Sequence, residues 1–338
     1  MPAARINKVG FLSDIHLILK GKISQREFFN KSLRPNHAYL QMAVLSHEVQ
    51  TDVPGIGNRS WDILRLDRSH PVVSGNKPFK LHFFLSKALG GGFEGILTFG
   101  GPYSNHIHAA AFAAASAGLK SIGVIRGERP HIQSPTLADA ERNGMSLQFM
   151  DRQRYRKTAE SIREDGASDL HPGYLVIPEG GTGGTGMEGA ALIHGWIPRS
   201  RYDAILCACG TGTTMAGLVR GAEKGQRIVG VSVLKNDTGL ESRVSSMVGD
   251  AGSVGISFIH GFHFGGYAKR DPVLTAFVNR FHERHGVPSD FVYTGKLFFA
   301  AEELIRNGFF HPGERILCIH SGGLQGNRSL PEGVLSFE

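Results

Sequence analysis

Two segments decide how the rest of the chain is read: Ser74-Gly75-Asn76-Lys77-Pro78-Phe79-Lys80-Leu81 and, further on, Gly95-Ile96-Leu97-Thr98-Phe99-Gly100-Gly101-Pro102-Tyr103-Ser104-Asn105-His106. The first places a lysine on a turn that opens a helix, with Leu81, Phe84, Leu85 and Leu89 following at helical spacing. Pro78 is compatible with the first turn, where no helical hydrogen bond is lost. The second is a short apolar strand that ends in a Gly-Gly turn and delivers Ser104 and Asn105 to the start of an Ala-rich helix, Ile107 to Ala117. Upstream, Trp61 to Asp67 reads as a strand. Downstream come a strand (Ser121–Ile125), a helix (Thr136–Asn143) closed by Gly144, and a strand (Ser146–Met150). Short buried strands alternating with helices predict a parallel sheet.

A second series repeats the rhythm. Tyr174–Ile177 is followed by the Gly-rich run Pro178–Gly186 and a helix, Met187–Trp196. Ala204–Cys209 leads through Gly210-Thr211-Gly212-Thr213-Thr214 into a helix, Met215–Ala222, and Arg227–Val233 is the next strand. After an irregular stretch, Pro272–His285 and Lys296–Asn307 read as helices, and Arg315–His320 as a last strand ending at Ser321-Gly322-Gly323. The expected class is α/β, with two lobes, each a mainly parallel open sheet flanked by helices, and ligand loops at strand carboxyl ends. Residues 1–58 read as an N-terminal extension, with a short element within Gln41 to Val53. Residues 59–79 with 171–338 form the expected large lobe, and 80–170 the small one.

At 338 residues, with 41% hydrophobic and 20% charged content, the chain can bury a large core. The formal charge of +7 is scattered, with no Lys/Arg block and no basic stripe interleaved with aromatics, so nucleic acid is not an expected partner. The positive balance favours small anionic ligands. No apolar run has membrane-spanning length, and Phe11 to Leu19 is broken by Asp14 and His16, so neither a membrane span nor a secretory signal is expected. Cys207, Cys209 and Cys318 have neither a zinc spacing nor a disulfide framework; they read as buried thiols, the first two on opposite faces of a strand, in a reducing cytoplasm.

Lys77 is the leading chemical candidate, because a lysine held rigidly between a turn and a helix can condense with an aldehyde carbon. Lys80 lies one helical turn on and shares its face, either as an anion ligand or as a solvated helix lysine. Ser104 and Asn105 stand where free helix N–H groups favour an anion, and either can also cap the helix. Gly210-Thr211-Gly212-Thr213-Thr214 combines hydroxyls with bare N–H groups in a strand–turn–helix context, a phosphate cup. It spells neither G-x-G-x-x-G nor a Walker ending. Pro178–Gly186 reads as a loop lining the same cleft. His106 and His108 do not share a helix face, so no metal pair is expected.

In order and wording these motifs resemble the pyridoxal-phosphate enzymes of the tryptophan-synthase-β type, and within them the 1-aminocyclopropane-1-carboxylate (ACC) deaminase and D-cysteine desulfhydrase family. The resemblance runs from about Trp61 to Leu324. It implies pyridoxal 5'-phosphate as cofactor, with Lys77 as the Schiff-base lysine beside Asn76. Lys80 and Gly210, Thr211, Gly212, Thr213 and Thr214 would hold the phosphate, and Asn105 the phenolic oxygen. Ser104 would contact the substrate carboxylate or move a proton, and Asn105 and His106, the latter where the family often has Gln, would stand beside it on the substrate side. Gly265-Gly266-Tyr267 and Val292-Tyr293-Thr294-Gly295-Lys296 match segments that each supply an active-site tyrosine, Tyr293 near the cofactor ring and Tyr267 facing substrate.

Where the deaminases carry a glutamate and a leucine, this chain has Thr294 and Ser321. A carboxylate beside the pyridine nitrogen keeps it protonated and the ring a strong electron sink; a hydroxyl does so far less. The resemblance therefore implies β-elimination from D-cysteine or a related small amino acid, giving a 2-oxo acid and ammonia, with ACC deamination as the alternative. It also implies a homodimer. Two other readings stay open: an NAD(P)-binding oxidoreductase, from the βα turns, and a pyridoxal-phosphate-binding protein with little catalytic power.

Overall fold

The structure, a computed structural model, describes residues 49–54, 60–165, 171–198 and 201–337. Among the described residues ten strands form two sheets. The larger runs in the order β1-β2-β10-β7-β8-β9, with β1 at Val49–Pro54, β2 at Ser60–Leu64, β7 at Ala204–Cys209, β8 at Arg227–Ser232, β9 at Gly255–Ile259 and β10 at Ile316–Ile319. All its pairings are parallel except β1 with β2. The smaller, wholly parallel sheet runs β5-β4-β3-β6, with β3 at Gly95–Gly100, β4 at Lys120–Arg126, β5 at Met145–Met150 and β6 at Tyr174–Ile177.

The apolar strands are buried on both faces, as a parallel sheet covered by helices requires. On β7, Ala204, Leu206 and Ala208 enter one core cluster, and Ile205, Cys207 and Cys209 the other. Cys207 and Cys209 therefore share a face. They lie two positions apart and strand side chains alternate with period two, which corrects the expectation of opposite faces. All three cysteines are free and buried. In the smaller sheet Ile96 faces one cluster, Leu97 and Phe99 the other.

Nine helices are described. α1 (Lys77–Gly90), α2 (Asn105–Ser116), α3 (Pro135–Arg142) and α4 (Arg152–Asp165) precede β6. α5 (Gly184–Ala191), α6 (Thr213–Gly221), α7 (Leu240–Val248), α8 (Pro272–His285) and α9 (Thr294–Arg306) follow it. No helix among the described residues is long and apolar enough to cross a membrane.

Several elements differ from expectation, each for a physical reason. Tyr174–Ile177 pairs with β3, not with the larger sheet, so the return to the larger sheet falls after residue 177 instead of at 171. Val49–Pro54, assigned to the extension, is an edge strand of the larger sheet; residues 1–48 lie outside the described residues. α4 is dense in charge, and its apolar stripe is only Tyr155, Ala159 and Ile162, which pack on Leu97 and Phe99. α7 and β9 occupy the stretch read as irregular; β9 is half-buried at the sheet edge and lacks the continuous apolar run of its neighbours.

Candidate active site

The loops that follow β2, β7 and β10 in one sheet, and β3 and β6 in the other, carry the candidate residues at strand carboxyl ends, where open α/β sheets bind ligands. The lysine turn is braced from several sides. Gly75 adopts φ +78° and donates its N–H to Leu66 O at 2.7 Å. A Cβ at this position would lie 2.0 Å from Ser321 O, so both conformation and space demand glycine. Asn76 N donates to that same carbonyl at 3.2 Å. Lys77 Nζ donates to Asn76 Oδ1 at 2.7 Å, and Asn76 Nδ2 donates to Thr214 Oγ1 at 2.8 Å. One asparagine thus clamps the lysine to the threonine loop.

Burial pulls the Lys77 pKa down to about 8, and the Asp290 carboxylate partly opposes the shift. At neutral pH roughly one-tenth of the amine is unprotonated. The sign for stability follows. The unfolded chain holds this proton up to its ordinary value of 10.5, whereas the folded chain releases it near 8. Cofactor-free protein therefore gains stability as pH rises through that window. Urea titrations of the cofactor-free protein across this range will show the gain, and Lys77→Met will reduce it by the share of this lysine, with the buried Lys80 and Lys296 retaining theirs.

The threonine loop forms the mouth of α6. Gly212, with φ +84°, precedes the helix, and no side chain caps its first N–H groups. Thr211 Oγ1 and Thr213 Oγ1 are hydrogen-bonded at 3.1 Å, and Asn76 engages Thr214. Lys80 is only 4% exposed, and among the described residues no group pairs with its Nζ. Burial, with Lys77 adding to it, holds its pKa well below the ordinary lysine range. The two features meet at the Gly180-Gly181 turn. A Cβ on Gly181 would lie 3.6 Å from Lys80 Cε, and one on Gly180 would lie 3.4 Å from Thr211 Cγ2. A buried ammonium without an anion, an uncapped helix N-terminus and a set of hydroxyls fit a phosphate group.

Across the cleft Ser104 caps α2, accepting from His106 N at 3.2 Å and Ile107 N at 3.3 Å, which leaves its own O–H to donate. Asn105 Oδ1 accepts from Gln325 Nε2, and Gln325 Oε1 accepts from Thr136 Oγ1 at 2.8 Å. His106 is buried. Thr98 Oγ1 donates to Ile177 O, so His106 must donate to Thr98 through Nε2, at 2.8 Å, leaving a buried Nδ1 without a partner. Burial first, then Lys80 and Lys77, keep the ring neutral. Its ring lies beside Gly181, which also approaches Lys80.

Tyr293 stands over Gly210, and its ring meets that of Tyr267 edge-on, centroids 6.1 Å apart. Burial, reinforced by Tyr267, raises the Tyr293 pKa well above the usual phenol range, so it is a proton donor at neutral pH. A cavity of about 540 Å³ reaches Lys77 and Asn105 past His70, Ser74, Gly323 and Gln325. Tyr267, Tyr293 and the threonine loop are not part of its wall.

Sequence reading missed Asp290, which is fully buried. Its Oδ2 accepts from Val292 N and Tyr293 N at 2.9 and 2.8 Å, and its Oδ1 from Thr294 N and Thr294 Oγ1 at 2.9 and 2.7 Å. Asp290 N in turn donates to Thr294 Oγ1 at 2.9 Å. The Thr294 hydroxyl is therefore locked to Asp290, and one lone pair is all it offers a third group. An Asp just before a helix start was the available signal. Ser321, at the end of β10, contributes its carbonyl to the lysine turn. No group of residues able to hold a metal ion occurs among the described residues.

Comparison with known proteins agrees with this geometry. Residues 61–322 match the family model for pyridoxal-phosphate dependent enzymes. A Pyrococcus horikoshii protein provisionally named a 1-aminocyclopropane-1-carboxylate deaminase is 30% identical over 81% of this chain and 88% of its own length. The bifunctional D-cysteine desulfhydrase/1-aminocyclopropane-1-carboxylate deaminase of Arabidopsis thaliana, a mitochondrial protein, is 27% identical over 86% of this chain and 79% of its own length. The crystal structure of an ACC deaminase homologue superposes with a TM-score of 0.70 at 26% identity, covering 87% of this chain and 97% of that one. The oxidoreductase reading is overturned by the family match, which spans the lysine turn and the threonine loop together. The chain belongs to the family of pyridoxal-phosphate-dependent enzymes, among relatives of the ACC deaminase and D-cysteine desulfhydrase type.

Proposed function

We propose that the protein is a pyridoxal-phosphate-dependent lyase that eliminates the β-substituent of D-cysteine or a related small amino acid, releasing a 2-oxo acid and ammonia. The observation that carries the reading is the clamped, buried Lys77 beside an unpaired Lys80 and the open start of α6. Lys77 would bind the cofactor covalently, Lys80 with Thr211, Thr213 and Thr214 would hold its phosphate, and Asn105 its phenolic oxygen. When bound, pyridoxal phosphate supplies the electron sink that makes the substrate's α-proton acidic. Asn76 aims the Lys77 amine, whose pKa of about 8 suits it to take that proton once substrate has displaced it. Tyr293 is held protonated and serves as donor to the departing group. Ser104, its lone pairs committed to backbone N–H groups, offers its O–H to the substrate carboxylate. For D-cysteine the balance is one water consumed, with pyruvate, ammonia and hydrogen sulfide released.

A second reading, ACC deamination, is favoured by the Asp290–Thr294 pair, which brings a carboxylate one hydrogen bond behind the position where the deaminases carry glutamate. Homodimer formation belongs to the same proposal. Purified enzyme given D-cysteine will release pyruvate, and given ACC will release little 2-oxobutanoate. Rapid 2-oxobutanoate formation with no pyruvate would reverse the choice.

A further inference from the structure

Lys296 is a fully buried lysine that the chemistry above leaves without a role. It sits on α9 one turn beyond Tyr293, and its Nζ donates to Gly266 O at 2.8 Å and to Val233 O at 3.2 Å. Gly266 is the residue before Tyr267. The loop around that tyrosine has an unfavourable backbone: Phe264 and Ala268, both with side chains, adopt φ +49° and +53°, and Gly265 and Gly266 between them adopt +80° and +120°. Tyr267 has little packing of its own. It is 47% exposed, and its one ring partner among the described residues is Tyr293. The side chain is therefore aimed by its backbone. Phe264 anchors one end of the loop, edge-on to Phe299 of α9 at 4.9 Å. Lys296 fixes the carbonyl next to the tyrosine. Burying an ammonium is costly, and here the partners are two neutral carbonyls, with Asp290 the carboxylate that steadies its charge.

We propose that Lys296 is a positioning residue for the reaction: it pins the strained loop 264–268 to α9, so that Tyr267 and Tyr293, borne by different elements, are presented as one pair. This rests on the reading of Tyr267 as facing substrate. The test combines Lys296→Met, Lys296→Gln and Tyr267→Phe, alone and together, on cofactor-loaded enzyme. Lys296→Met lowers kcat/KM by roughly tenfold to a hundredfold, the cost of misplacing a contact group, while leaving the cofactor's visible absorbance unchanged. Lys296→Gln, which keeps N–H donors, restores most of the loss. In the Tyr267→Phe background, Lys296→Met has about twofold further effect or less, because the two act as a unit.

Hydrogen exchange supplies a readout independent of turnover: amides of residues 264–268 exchange faster in Lys296→Met, while those of β7 and β8 do not. If Lys296→Met does not fold, Lys296→Ala, which removes the same donors without an apolar chain of the same length, carries the cycle and the exchange comparison. Losses that multiply independently, or unchanged exchange in the loop, would overturn the proposal. A Tyr267→Phe enzyme with wild-type rates would sink the reading of Tyr267 instead, and the exchange data judge the Lys296 contact separately.

Discussion

Lys77→Ala will lack the absorbance of the lysine–cofactor Schiff base and will lose turnover by about a thousandfold or more, since it removes both the covalent anchor and the base. The effect is expected to be specific. Gly75, Asn76 and Ser321 hold the turn through backbone contacts that do not involve the lysine side chain, apart from the single bond from Nζ to Asn76 Oδ1. The variant should therefore fold, and without a buried charge its cofactor-free form should be no less stable. Lys77→Arg is the companion. It keeps a cation but cannot condense with an aldehyde, and is expected to be as inactive as the alanine variant. Absorbance spectra after incubation with pyridoxal phosphate, together with 2-oxo acid release, measure both. A variant at position 77 with an unchanged spectrum and rate would remove Lys77 from the role.

Lys80→Met is predicted to have effects of opposite sign in the two states of the protein. Without cofactor, the substitution removes an unpaired buried ammonium and fills the same space with an apolar chain. The cofactor-free variant should then be more stable by about 1–2 kcal/mol, as when buried charges are replaced by hydrophobic isosteres. With cofactor, it removes a charge-assisted contact to phosphate, and affinity for pyridoxal phosphate should fall by roughly a hundredfold. Denaturant unfolding of the cofactor-free form and a cofactor titration followed by absorbance give the two numbers. If Lys80→Met destabilises the cofactor-free protein and binds cofactor normally, Lys80 is a core residue and the phosphate lies elsewhere.

The elements bearing ligand loops were the most legible, because short apolar strands ending in glycine turns carry both a periodicity and a stop signal. Lys77, Asn105, Thr211 and Thr213 were found that way, and all sit at strand carboxyl ends or helix starts in the structure. Strand partnership was not legible. Tyr174–Ile177 looks like any buried strand, and its pairing with β3 is a tertiary choice that no local pattern records. α4 escaped notice because a helix covering one sheet face needs only three buried side chains among many charges. Asp290 was hidden by its ordinariness as a capping residue. Its importance lies in being fully buried while receiving four hydrogen bonds beside the tyrosine helix. His106 shows the reverse case. Its place in the motif suggested substrate contact, while the Thr98 hydroxyl, on β3 just upstream, holds its buried ring in a hydrogen bond that the motif does not spell out.

The most direct measurement is to reduce the cofactor-loaded enzyme with borohydride, digest it and locate the pyridoxyl group by mass spectrometry. The predicted result is a single modified lysine, Lys77, in the peptide that contains Asn76 and Pro78. A label on Lys80, on Lys296 or on no lysine at all would contradict the account.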